Sequence, residues 1–300
     1  MATALFLRRQ RAKQPRVLFY GTGKFTPINT RMKENLLITI GDSWTEGLGA
    51  YSDAALAQYK QDKDLDRLQQ PTDYMRQNSW PTQLAAILDY DLVNFGVRGS
   101  ANSAHAKWLL NEDKFSQYKK VQVIWLLSEP YRFSFISENN PYSYNGILSI
   151  SPIGLTNDRM DRGPKMKDFA FTYLQLVEMG DVIAETQFYI QVVENYCQVM
   201  NYGLLIGNAF SPVQFTSDYN LHTNQSYNSM REFLEGVDME TGSVVSPVCA
   251  HPNALGYKYI AEELARILPL PRSGGTEPNG REAAAQELSV TAVPRTAQTA

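Results

Sequence analysis

The chain has 300 residues, 43% of them hydrophobic, 20% charged and 11% aromatic, and 28 Lys or Arg against 31 Asp or Glu give a formal net charge of −3. That apolar content is enough for a sizeable core in one domain or two, and it excludes a mainly disordered, collagen-like or disulfide-stapled chain. A balance so near neutral gives no reason to expect nucleic acid or an acidic membrane as partner, and the two cysteines, Cys197 and Cys249, form no zinc pattern.

Residues 1–33 hold eight Lys or Arg and no Asp or Glu, which reads as a basic flexible arm. Its charge follows a few apolar residues, the reverse of a secretion signal, so a cytoplasmic or virion-associated location is expected. From residue 34 a short apolar run alternates with a helical stretch. Leu36–Ile40, Leu92–Phe95, Val121–Leu127 and Leu204–Ile206 read as buried strands. Trp80–Leu88 reads as a helix with Pro81 in its first turn, and Asn102–Leu110 as another. Asp181 is a candidate cap for a long helix whose Ile190, Val193, Cys197 and Met200 share a face. Asn253–Leu268 closes the core as a helix carrying Ile260, Leu264 and Ile267 on one side. Continuous apolar strands separated by helices predict a parallel sheet covered on both faces, a three-layer α/β/α sandwich. Two stretches break the rhythm, at about 50–78 and 131–165. Both follow strands and so belong at the carboxyl edge of the sheet, where open α/β folds bind ligands. From Pro269 onward, Pro, Gly, Ser, Thr and Ala predict a disordered tail. No apolar run approaches the roughly 20 residues of a membrane span.

Chemistry-bearing residues gather at strand ends. Gly41-Asp42-Ser43 follows the first strand, where a serine hydroxyl is exposed at the sheet edge and a helix start aims N–H groups at a developing oxyanion. Asn94-Phe95-Gly96-Val97-Arg98-Gly99 ends the second strand, and Gly99 offers an unobstructed N–H. Ser128-Glu129 ends the third. His251-Pro252-Asn253 feeds the last helix, and a histidine there faces a serine at the same edge. Serine needs such a base within hydrogen-bond reach.

This set, in this order, resembles the SGNH (GDSL-type) hydrolase family, over roughly residues 35–268. Gly41-Asp42-Ser43, the Asn94…Gly99 spacing, Trp80-Pro81 before a helix, and His251-Pro252-Asn253 with Gly256-Tyr257 carry the likeness. The stretch Trp125–Arg132 is loosely similar to a variant third block in some phage-encoded relatives. The resemblance implies a flavodoxin-like parallel sheet and hydrolysis of esters or thioesters, including acetyl groups on carbohydrates. It makes Ser43 the nucleophile, His251 the general base, and the N–H groups of Ser43 and Gly99 the oxyanion donors. The family's third block, usually Gly-x-Asn-Asp, is replaced here by Leu126-Leu127-Ser128-Glu129, so Ser128 is the candidate third donor. One lost donor costs about 2.7–4 kcal/mol of transition-state stabilisation. Three residues before the histidine, Val248 stands where the family has an orienting Asp, whose loss in a triad costs on the order of 10⁴ in kcat. A backbone carbonyl, or a carboxylate from Asp238, Glu240 or Glu129, must then orient His251. Asp42 and Glu129 are candidate orienting or substrate contacts.

The reading is a serine esterase acting on a carbohydrate O-acyl ester or a small acyl ester, with no metal or organic cofactor and no nucleic acid or membrane partner. The alternative is a catalytically weak binding or structural module on the same fold, at a virion or another surface; an acyltransferase using the same serine is a third. Other residues carry plainer readings. His105 and His222 read as helix-surface or loop-lining residues, and Cys249 as structural and too close to His251 to face it. Gly21-Thr22-Gly23-Lys24 lacks the earlier glycine and the Ser or Thr of a phosphate loop. Asp42, Glu46 and Glu129 lack glycosidase spacing. Asn224-Gln225-Ser226 matches a glycosylation triplet without a secretion signal, and the aromatics of 131–165 read as a self-packed loop.

Overall fold

The computed structural model describes residues 33–62, 72–111, 115–136, 147–152, 164–241, 243–246, 249 and 251–268. The basic arm before Lys33, the tail from Pro269, and Val248 lie outside them. The chain separates into two units, Met1–Ile267 and Leu268–Ala300. Every element below belongs to the first, and of the second only Leu268 is described.

Four strands, β1 (Asn35–Gly41), β2 (Asp91–Gly96), β3 (Lys120–Leu127) and β6 (Gly203–Asn208), form a parallel sheet in the order β2-β1-β3-β6. All three pairings are parallel, with Ile40 opposite Phe95 and Trp125, and Leu127 opposite Asn208. This is the doubly wound, flavodoxin-type order, and its direction reverses beside β1, the topological switch point where such sheets open a crevice. Helices cover both faces. α5 (Asn102–Leu110) packs on α7 (Met179–Met200), and α4 (Trp80–Leu88) packs on α9 (Ala254–Ile267).

The strand sequences explain the layering. Leu36, Ile38 and Ile40 join Val121, Val123, Trp125, Ala104, Leu109, Ile190, Val193 and Cys197 in one core under α5 and α7. The period of two turns Leu37 and Ile124 to the opposite face, where Trp80, Leu84, Tyr257, Ile260 and Leu264 are also buried. Each fully buried Leu or Ile contributes about 1.5–3 kcal/mol. The predicted strands and the helices at 80–88, 102–110 and 253–268 are present within a residue or two. Asn253 starts α9, its Oδ1 accepting from Gly256 N at 3.0 Å.

Three expectations need correction. Asp181 does not cap the long helix: Glu178 precedes it, and Asp181 falls in its first turn, where its charge meets the positive end of the helix dipole. The stretches at 50–78 and 131–165 are not plain loops. The first carries α2 (Asp53–Asp62) and α3 (Thr72–Gln77); the second carries an antiparallel hairpin of β4 (Phe133–Ile136) and β5 (Ile147–Ile150) and the start of α6 (Pro164–Leu176). Phe133 of β4 packs against Phe169 and Tyr173 of α6, at centroid distances of 5.8 and 4.7 Å. Alternation in runs of four residues was too short to signal a strand pair. The helix α8 (Met230–Thr241) completes the described elements.

His105 is not on a helix surface. It is fully buried, its Nδ1 accepting from Trp125 Nε1 at 3.1 Å and its Nε2 lying 2.6 Å from Ser100 Oγ. Trp125 can only donate, so the ring proton sits on Nε2 and points at Ser100. Burial, followed by the Arg132 charge, pushes this imidazole down to about 3. Between that value and the ordinary imidazole value of about 6.5 the unfolded chain binds a proton that the native chain does not. The contribution is therefore full above pH 6.5 and falls with acidity by about 1.4 kcal/mol per pH unit. Urea midpoints measured from pH 7 to pH 5 are expected to fall, and to fall less steeply in His105→Phe. Equal slopes in the two proteins would refute the assignment.

Candidate active site

The turn after β1 is built around Asp42. Its Oδ1 accepts from Trp44 N at 3.0 Å, and its carbonyl accepts from Thr45 N and Glu46 N at 3.0 and 2.9 Å. These bonds start the one-turn helix α1 (Ser43–Glu46) and occupy three of its four leading amides. The remaining one belongs to Ser43. Gly96 lies so close to α1 that a Cβ there would collide with Glu46 N and the Thr45 carbonyl carbon, so its lack of a side chain lets the helix dock on β2. Asn94 fixes the same contact, its Nδ2 donating to Thr45 O at 3.0 Å. Glu46 is buried and accepts from Arg98 N at 3.2 Å and Arg98 Nε at 2.8 Å.

Ser43 Oγ lies 2.8 Å from His251 Nε2. His251 Nδ1 lies 2.8 Å from the carbonyl oxygen of Cys249. A carbonyl only accepts, so Nδ1 carries the proton and Nε2 faces the serine with its lone pair. Trp44 flanks the imidazole at 6.4 Å between centroids, and Phe210 packs on Trp44 at 6.0 Å. Tyr257 Oη donates to Leu48 O at 2.7 Å, tying α9 to the segment after α1. Gly49, at φ +106°, passes so near His251 and Pro252 that a Cβ would collide with both. The backbone thus brings together two loops 208 residues apart.

The turn after β2 sits beside α1. Val97 N donates to Gly41 O at 3.1 Å, and Ser100 N closes the turn on Val97 O at 3.1 Å. Gly99 occupies its third position at φ +73°, a conformation that favours glycine, and has open space where a Cβ would be.

Other candidates are placed differently. Ser128 is buried, and its hydroxyl donates to Asn102 Oδ1 at 3.1 Å, its N–H to the same oxygen at 2.9 Å. Its only proton is spent on Asn102, and the oxyanion reading rests on the two backbone amides. Asp42 Oδ2 accepts from Arg132 Nη1 at 2.7 Å, and Glu129 Oε2 lies 3.1 and 3.0 Å from Arg132 Nε and Nη2. Asp238 accepts from Val244 N at 3.0 Å. The Glu240 side chain lies outside the described ones; among the described side chains no carboxylate hydrogen-bonds His251, and the Cys249 carbonyl takes that place. His222 is buried in the segment after β6: its Nε2 accepts from Asn208 N at 2.9 Å, and burial pushes it down to about 4. It borders a separate cavity of about 840 Å³ after β6, away from Ser43. Among the described residues, no group of three or more His, Cys, Asp or Glu is placed to hold a metal ion, and no helix is long and apolar enough to cross a membrane.

Sequence reasoning missed Arg132 and Cys249 as neighbours of the site. Nothing in local periodicity marks an arginine as buried, and sequence proximity alone does not place a residue two before a histidine against its ring. The ring instead folds back onto the Cys249 carbonyl. Burial pulls the His251 imidazolium down, but contact with the Cys249 side chain and carbonyl, and the Asp42 charge, outweigh it, so its pKa is raised. The Cys249 thiol is lowered, contact with His251 outweighing burial.

No family model matches the chain, and no curated protein is similar to it. Among solved structures, a carbohydrate esterase family 2 enzyme with a carbohydrate binding domain, from Corynascus thermopiles (Myceliophthora fergusii), is 13% identical at a TM-score of 0.41, over 79% of this chain and 66% of that one. The lipase Lip_vut3 from a goat rumen metagenome is 12% identical at a TM-score of 0.40, over 80% and 99%. A member of the lipolytic G-D-S-L family from Veillonella parvula DSM 2008 is 13% identical at a TM-score of 0.31, over 78% and 98%. At such identities and scores these are likenesses only, and they give no support to a phage origin.

Replacing Cys249 by Ala removes a side chain that raises the His251 pKa. The His251 imidazole, followed by NMR, is expected to titrate at lower pH in that variant than in the parent. An unchanged titration would show that the carbonyl and Asp42 alone set it.

Proposed function

We propose that this chain is a serine hydrolase that cleaves a carboxylic ester, either a carbohydrate O-acyl ester or a small acyl ester. The observation that carries the reading is the Ser43 Oγ–His251 Nε2 contact of 2.8 Å, with His251 Nδ1 fixed on the Cys249 carbonyl. His251 takes the Ser43 proton as Oγ attacks the ester carbonyl, and the N–H groups of Ser43 and Gly99 receive the oxyanion. The imidazolium then protonates the leaving alcohol. Water, deprotonated by the same His251, attacks the acyl-serine, and the imidazolium returns that proton to Ser43 Oγ as the acyl–Oγ bond breaks and the acid leaves.

One observation favours a slower catalyst. The group on Nδ1 is a neutral carbonyl and not a carboxylate, so the tautomer is fixed while the imidazolium receives less Coulombic support. A catalytically weak binding module on the same fold is the corresponding second reading. Labelling by a fluorophosphonate separates the two, because the probe needs an activated serine.

Hydrolysis of p-nitrophenyl acetate is expected to fall by about 10³-fold or more in both Ser43→Ala and His251→Ala. Equal slow rates in all three proteins would be background chemistry and would sink the esterase reading. The base must be neutral to act, and its pKa is raised. The kcat/KM of the parent should therefore climb with pH through a midpoint above the ordinary imidazole value of about 6.5.

A further inference from the structure

Arg132 follows β3 by five residues and was no part of the chemistry argued from the sequence. Its side chain is 9% exposed, and its contacts reach the carboxyl ends of all four strands. Nη1 donates to Asp42 Oδ2, just past β1, at 2.7 Å, and lies 3.4 Å from Ser100 O, past β2. Nε and Nη2 both meet Glu129 Oε2, past β3, at 3.1 and 3.0 Å. The guanidinium carbon lies over the Phe210 ring, past β6, at 5.4 Å from its centroid.

Three of these contacts lead to a part of the candidate site. Asp42 caps the turn that carries Ser43. Ser100 adjoins Gly99. Phe210 backs Trp44, which flanks His251. Only a planar, forked cation makes these contacts at once; an ammonium is a point charge on a flexible stem. The charge also matters. Asp42 is fully buried beside the nucleophile, and an unneutralised carboxylate there would oppose negative charge building on the substrate oxygen.

We propose that Arg132 is a positioning residue for the Ser43–His251 site: its guanidinium clamps the four strand ends and cancels the Asp42 charge beside the forming oxyanion. This inference rests on the hydrolase reading for its kinetic consequence, but the clamp has a signature of its own. The titratable and charged groups that raise the His251 pKa are Cys249 and Asp42. With Arg132 gone, the Asp42 charge is felt in full, and His251 moves further up.

The experiment compares the full-length parent with Arg132→Met and Arg132→Lys, each checked for folding by circular dichroism and thermal melting. In Arg132→Met, kcat for p-nitrophenyl acetate is expected to fall at least about tenfold, with KM changed less than about threefold. Guanidinium at about 50 mM, far below denaturing concentrations, is expected to restore part of the loss in Arg132→Met and to leave the parent unchanged. Arg132→Lys, which keeps charge without the fork, is expected to stay well below the parent. By NMR, His251 should titrate at higher pH in Arg132→Met than in the parent. A parent without turnover or labelling removes the hydrolase reading and leaves the His251 titration to decide the clamp. An unshifted His251 in a folded Arg132→Met overturns the clamp, as does full activity in Arg132→Lys. If Arg132→Met does not fold, Arg132→Lys carries the same comparison, and parent-like kcat with an unshifted His251 in that variant overturns it.

Discussion

A hydroxyl and an imidazole 208 residues apart in sequence meet at 2.8 Å, and much of the first unit serves to keep them there. A parallel sheet suits this task, because all its strands end on one edge and the loops that leave them converge. β1 delivers Ser43, β2 the Gly99 turn and β3 the segment to Arg132. α9 returns His251 to the same edge by packing against α4, the helix that precedes β2. A shift of α9 along α4 by even an ångström would lengthen the serine–imidazole contact beyond hydrogen-bonding range. The buried Trp80, Leu84, Tyr257 and Ile260 between those layers are therefore as important to the site as the polar pair itself.

The edge is held by charges that burial makes costly. Asp42, Glu46 and Arg132 are all largely removed from water, and pairs of this kind stabilise a fold little, if at all, relative to apolar replacements. Their effect is directional. Breaking one costs about 3–5 kcal/mol, because the remaining charge is left buried and unpaired. The arrangement with every pair made is thus strongly preferred over its neighbours. Glu46 fixes α1 to Arg98, and Asp42 fixes it to Arg132, so the helix that carries the serine is pinned from two sides. Hydrophobic burial supplies the stability and these pairs supply the register.

Much of this was legible in the sequence, for a physical reason. A parallel strand buried on both faces must be continuously apolar, and Leu36–Ile40 and Val121–Leu127 announce themselves that way. Ser43 and Gly99 stand out because they sit where strands give way to turns, and His251 because it stands in the loop that feeds the last helix. What was illegible depends on contacts between distant positions. No local pattern shows that Arg132 reaches Asp42, that Ser128 spends its proton on Asn102, or that His105 fills the core beside Trp125. The hairpin at Phe133–Ile136 and Ile147–Ile150 was hidden as well, since it packs on α5 upstream and on Phe169 and Tyr173 of α6 downstream, contacts that its own sequence does not show.

In the proposed hydrolase a backbone carbonyl stands where an orienting carboxylate would serve. A carboxylate on Nδ1 does two things: it fixes which nitrogen carries the proton, and it stabilises the imidazolium formed when the serine is deprotonated. The Cys249 carbonyl does the first as well as any acceptor, because it has no proton to offer and lies at 2.8 Å. It does the second only as a dipole. The structure supplies the rest from the sides, since the Cys249 side chain and Asp42 both favour the charged ring and together with the carbonyl more than offset burial. Asp42, however, lies next to the nucleophile, where the charge that helps the imidazolium would also hinder the oxyanion. Arg132 resolves that conflict by leaving Asp42 nearly neutral towards the substrate while the imidazole still feels a net upward shift. On the proposed reading, the segment after β3 brings in Arg132, and its pairing with Asp42 makes that carboxylate tolerable beside a serine whose base rests on a backbone carbonyl.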